Sequence, residues 1–100
     1  MANILVNMLQ FSLSKKPIDY QIELSQKLKK IRKEKGYSQA ELSKRSGVSL
    51  GSLKRFESSG QISLESLLML AEILGRIEDF DQLFNINEDL KIVAKLFSEK

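Results

Sequence analysis

Residues 38–57, SQAELSKRSGVSLGSLKRFE, decide how the rest of the chain is read. The stretch divides into two short helices joined by a tight turn. Ser38 supplies a hydroxyl cap for the first helix. Glu41, three residues on, completes the pattern S-x-x-E, in which the cap and the third helical residue bond each other reciprocally. Ala40, Leu42 and Leu53 are apolar. Gly47 stands where the chain must turn, because glycine takes positive φ at little cost. Ser49 caps the second helix, and Leu53 and Phe56 fall on one face of it at a spacing of three.

Working outward, the segment resembles the helix-turn-helix of the lambdoid phage repressor and Cro class, the XRE family. With Gln39 as the first position, that class expects Gln-Ala-Glu-Leu at the start, Gly at the ninth position, and apolar residues at the fifteenth and eighteenth. Gln39-Ala40-Glu41-Leu42, Gly47, Leu53 and Phe56 meet it. Ser43 departs from it, since a small Ala is usual there. A buried Ser needs an acceptor, most simply a carbonyl one turn back. The likeness runs from about residue 24 to about residue 84, roughly 60% of the chain.

Composition narrows the function classes. One hundred residues suit one domain, and 42% hydrophobic with 29% charged residues is the balance of an ordinary globular protein. The small core of such a chain makes oligomerisation a reasonable supplement. The sequence has no Cys and no His. That removes disulfides, thiolate chemistry, the commonest general base and the commonest metal ligand. No nucleophile–base pair, phosphate loop or metal-ligand spacing stands out, so no catalytic residue, metal or cofactor is expected. No apolar run reaches the ~20 residues of a membrane span. The opening MANILVNMLQFSLSKK is apolar first and basic afterwards, the reverse of a secretory signal. A cytoplasmic protein of bacterial or phage type is the simplest reading.

Charge is uneven. Residues 15–57 hold 12 Lys/Arg against 5 Asp/Glu, whereas residues 58–100 hold 4 against 8. The basic half carries the two-helix stretch, which favours a polyanion for that end. A solvated helix face is the ordinary explanation of a lysine run, and the motif tips the balance away from it.

The expected architecture is all-α: a lambda repressor-like domain of about five helices, with an extra C-terminal helix and an apolar N-terminal arm. The boundaries are 1–16 for the arm, 17–86 for the DNA-binding domain and 87–100 for the C-terminal helix. In the arm, Ile4, Met8 and Phe11 fit a helical face, while Leu9, Phe11 and Leu13 alternate as in a strand. The arm should pack on its own domain or on a second copy. Pro17 opens the first helix, whose inner stripe is Tyr20 or Leu24, with Leu28 and Ile31. That helix runs to about Lys35, and Gly36 ends it. Ser58-Ser59-Gly60-Gln61 reads as a loop without basic residues. Ser63 caps a fourth helix, with Leu64, Leu67, Leu68, Ala71 and Leu74 as its apolar stripe and Gly75 as its stop. A short fifth helix covers 79–84. Asn87 caps a last helix over 88–98, serving the core or a dimer contact.

The resemblance carries the site. It implies that the second helix of the motif enters the major groove. Leu50, Gly51 and Arg55 match the positions that touch base edges, and Arg55 can bond guanine O6 and N7 together. A phosphate contact is the alternative for Arg55. Leu50 meets a thymine methyl or is merely an exposed leucine. Ser38, Gln39, Ser49, Ser52 and Lys54 match phosphate contacts, with Gln39 aided by backbone N–H groups at a helix start. Arg32 and Glu57 occupy the positions of a structural ion pair. The implied partners are a pseudo-palindromic double-stranded DNA operator and a second copy in a homodimer. The run GSLKRFESSGQISLESLLMLAEILG, with DFDQLF after it, is most similar to HipB-like antitoxins, which implies a toxin protein partner. The rival reading is a protein-interaction module that uses this fold without reading DNA sequence.

Overall fold

The computed structural model describes residues 14–86 and 95–98. Within them the chain is all helical. Helix α1 spans Pro17–Glu34, α2 Gln39–Ser46, α3 Leu50–Ser59 and α4 Leu64–Ile73. A 3-10 helix over Ile77–Gln82 follows, and residues 95–98 are helical. The arm over 1–13 and most of the expected last helix lie outside the described residues.

Each helix starts where the sequence provides a start. Pro17 opens α1, and the Lys16 N–H is held by Asp19 Oδ2 at 2.9 Å. Ser38, Ser49 and Ser63 cap α2, α3 and α4 by accepting from Glu41, Ser52 and Ser66 N–H at 3.0, 3.1 and 3.1 Å. Each such cap is worth about 1 kcal/mol. The reciprocal half of the capping box at α2 is replaced: the Glu41 carboxylate faces Arg45 at 3.4 Å, one turn along the same helix. Ser43 also differs from expectation. Its hydroxyl reaches forward across the turn to the Val48 carbonyl at 2.6 Å, not back along its own helix. Ser46 Oγ accepts from Val48 N–H at 3.1 Å, so two serines of α2 hold the turn between α2 and α3.

The core is one cluster of Leu28, Leu42, Val48, Leu53, Phe56, Leu67, Leu70 and Leu74. Helix α2 packs on both α3 and α4, α1 packs on α3, and the 3-10 helix packs on α4. Leu70, absent from the expected stripe of α4, is fully buried, while Leu64 is 66% exposed. The face of α1 agrees with expectation only in part. Leu28 is buried and Ile31 packs against the core as expected, but Tyr20 and Leu24 are 57% and 38% exposed, and Ser25 and Arg32 are buried. The inward stripe of α1 therefore contains polar residues, which apolar periodicity passes over. Ser25 is satisfied by donating to the Ile22 carbonyl at 2.7 Å. The expected fifth helix at 79–84 is a 3-10 helix set two residues earlier, with Phe80 against the core. Helix α3 continues through Ser59, so the first half of the expected loop at 58–61 is helical.

The start of α1 carries a small ionic cluster. Lys15 Nζ donates to Glu23 Oε2 at 2.5 Å and lies 5.2 Å from the Tyr20 ring centroid. Lys27 reaches the other oxygen of Glu23 at 3.2 Å. The hydrogen bond to Glu23 holds the Lys15 ammonium above its ordinary value of 10.5, and the bonds from Lys15 and then Lys27 hold the Glu23 carboxyl below 4.5. Both charged forms coexist between those values. The contact is lost in acid as pH falls through the lowered value of Glu23, and in base as pH rises through the raised value of Lys15.

Two glycines show where close packing, and not only turn geometry, limits the sequence. Gly47 has φ +81°, and an added Cβ would meet only the mobile methyl of Met69 at 3.3 Å. Gly60 has φ +84°, and an added Cβ would lie 2.8 Å from the Gln21 carbonyl carbon. At Gly60 the end of α3 thus rests on the backbone of α1. In denaturant titrations Gly47→Ala should cost about 1–2 kcal/mol, and Gly60→Ala about 3 kcal/mol or more. Equal costs would mean that the Gly60–Gln21 approach does not restrain the fold.

Candidate nucleic-acid interface

At about 3.6 residues per turn, α3 has two unlike sides. Leu53, Phe56 and the side chain of Glu57 face inward, and all three are buried. Gly51, Lys54, Arg55 and Ser58 face outward and are exposed, with Leu50 at the edge and partly covered. An added Cβ at Gly51 would meet nothing within 4 Å. Gly51 therefore leaves a flat place on an otherwise cationic surface, at a helix cost of about 1 kcal/mol relative to Ala. Ser58 belongs to this outward side, and reading 58–61 as a loop concealed it. Its hydroxyl donates to the Arg55 carbonyl at 3.1 Å.

The inward side is fixed by one carboxylate. Glu57 Oε2 accepts from Arg32 Nε at 2.7 Å, and Oε1 accepts from Arg32 Nη2 at 3.0 Å and from Gln39 Nε2 at 2.9 Å. Arg32 Nη1 donates to the Tyr37 carbonyl at 2.7 Å. The side chains of Arg32 and Glu57 are only 8% and 3% exposed. Glu57 thus joins α1, the start of α2 and the end of α3. No sequence pattern marks Gln39 or Tyr37 as members of this network, since Gln39 and Glu57 are eighteen residues apart and meet only in the fold.

The remaining candidates have definite settings. One amide hydrogen of Gln39 goes to Glu57, leaving its second amide hydrogen and carbonyl oxygen at the start of α2. The hydroxyls of Ser38 and Ser49 are capping acceptors. Ser49 also donates to Ser52 Oγ at 2.8 Å. Lys54 and Arg55 have no ion-pair partner among the described residues. Arg55 borders a shallow polar recess with Ser52, Gln61, Ile62, Ser63 and Ser66. Arg45 is partly engaged, facing Glu41 and lying 4.9 Å from the Tyr37 ring centroid. The surface therefore combines a helix with one cationic side, two capped helix starts beside it, and a buried brace behind it. That arrangement can meet phosphate oxygens with cations and N–H groups while presenting α3 to a groove.

A helix-turn-helix family profile matches residues 28–80. The chain belongs to the XRE-type helix-turn-helix family. Every candidate site residue of this XRE-type domain lies within the matched span, which stops short of both the arm and the C-terminal segment. Membership makes the domain a DNA-binding one. No curated protein and no solved structure matches the chain. Among the described residues no helix is long and apolar enough to cross a membrane.

Breaking the brace from one side strands a buried charge. Glu57→Ala and Arg32→Ala should each cost roughly 3 kcal/mol, and the double variant clearly less than their sum. A double-mutant cycle in urea checks this, and additive costs would mean that the two residues act independently.

Proposed function

We propose that this protein is a sequence-specific DNA-binding repressor that acts as a dimer on a pseudo-palindromic operator in the cytoplasm. The observation that carries the reading is the two-sidedness of α3: a braced inner side and an outer side of Gly51, Lys54 and Arg55 free of ion pairs among the described residues. In this proposal Arg55 reads a base pair, Gly51 permits close approach, and Leu50 contacts a thymine methyl. Ser38, Gln39, Ser49, Ser52 and Lys54 position the domain on phosphates. The recess that Arg55 shares with Ser52, Gln61 and Ser63 favours a second role for Arg55, a phosphate contact. Exposed Leu96 and Phe97 support a dimer or partner contact near the C-terminus. A toxin partner, by likeness to the HipB-like branch, is a further proposal that rests on the sequence of residues 51–75 and 79–84.

Selection of fragments from a random duplex pool by the purified protein tests the reading. The expected product is a two-fold motif with half-sites roughly 34 Å apart, bound more weakly as salt rises. Arg55→Ala should cost about 1–3 kcal/mol on the best duplex and relax preference at one base pair. Equal loss on every duplex would make Arg55 a phosphate contact. Absence of any preferred duplex would favour the protein-interaction reading.

A further inference from the structure

Helices α1 and α4 and the 3-10 helix border an apolar groove of about 210 Å³. Its floor and walls are Leu24, Leu28 and Ile31 of α1, Ala71 of α4, and Phe80 and Leu83. The charged residues at its edges are already paired with neighbours: Lys27 with Glu23 at 3.2 Å, and Arg76 with Asp79 at 2.7 Å. A fitting occupant is therefore apolar and uncharged, since any charge brought here would lose water without gaining a partner.

The chain supplies such a segment. Residues 1–13, MANILVNMLQFSL, contain no charged side chain. Residues 87–100 carry six, and their Leu96 and Phe97 are 59% and 68% exposed. The attachment point of the arm is also close. Two residues after Leu13, Lys15 is tied to Glu23 and lies over Tyr20. Tyr20 stands one helical turn before Leu24, the first groove residue of α1, so the ionic cluster fixes Lys15 near the head of the groove. Leu24 to Ile31 spans about 10 Å of helix. Thirteen residues reach about 40 Å extended, or about 20 Å as a helix, so either shape covers it.

We propose that residues 4–13 of this chain dock in the groove between α1 and the 3-10 helix of the same molecule. The short tether gives the arm an effective concentration in the millimolar range, which favours its own groove over that of a second copy. Docking also closes this face to other apolar partners and leaves dimer formation to surfaces elsewhere.

The chain has no Trp, so Phe11→Trp in the full-length protein gives a unique fluorescence signal, and Leu9→Trp is a second reporter if the larger ring at residue 11 does not fit. The expected result is blue-shifted emission shielded from acrylamide and unchanged through a wide dilution series. Adding Leu24→Asp or Leu83→Asp, both at partly exposed positions, should shift it to the red while the helical circular dichroism stays the same. Water-exposed emission from both reporters would overturn the proposal, as would emission that does not respond to the groove substitutions. Shielding that fades on dilution would overturn it too, since the arm would then occupy a second copy.

Discussion

One buried carboxylate sets the geometry of this domain. Glu57 is the last inward-facing residue of α3, and its two oxygens take three hydrogen bonds from α1 and α2. A buried ion pair is a weak source of net stability, because desolvation offsets most of the attraction. Its geometry is another matter. A guanidinium meeting a carboxylate through two N–H groups fixes angle as well as distance. Leucines pack at many angles, whereas this contact is satisfied at few. Arg32 is itself held by the Tyr37 carbonyl, so the orientation passes from α1 through the α1–α2 connection to the end of α3.

The rest of the fold works in the same direction. Gly60 lets the end of α3 rest on the α1 backbone at Gln21, a contact no side chain would permit. Ser43 and Ser46 hold the turn at the other end of α3 through Val48. Leu53 and Phe56 press its middle into the core. Restraint of α3 at both ends and along one side leaves the outer side free of structural duty. That division is why Gly51, poor in a helix, is tolerable there: an added Cβ would meet nothing within 4 Å.

Much of this was legible in the sequence, and the parts that were not have physical reasons. Ser38, Ser49 and Ser63 announced their helices because capping is local. Gly47 announced the turn for the same reason. Leu53 and Phe56 gave the inward side of α3 by spacing alone. On α1, apolar spacing finds Leu28 and Ile31 but overvalues Tyr20 and Leu24 and passes over Ser25, because a polar residue satisfied in the interior looks in sequence like a surface residue. Ser58 was read as loop because Ser-Ser-Gly is a breaker pattern, yet only the Gly ends the helix. Within the candidate site, Arg32 and Glu57 follow from resemblance to a family, with one local sign beside it: each directly follows an apolar core residue, Ile31 or Phe56, and so flanks the interior. Gln39 and Tyr37 joined their network through tertiary contact, which no spacing encodes.

We propose that the Arg32–Glu57 brace sets the angle at which α3 meets DNA. Replacing both residues together by Met removes the charges while keeping apolar volume, so the domain should remain folded. The decisive quantity is the ratio of affinities for the selected duplex and an unrelated one, measured at one salt concentration. With the thermal transition retained, this ratio should fall by about tenfold or more, the worth of one base-reading contact. An unchanged ratio in a folded double variant would contradict it, and would reduce the brace to a packing detail.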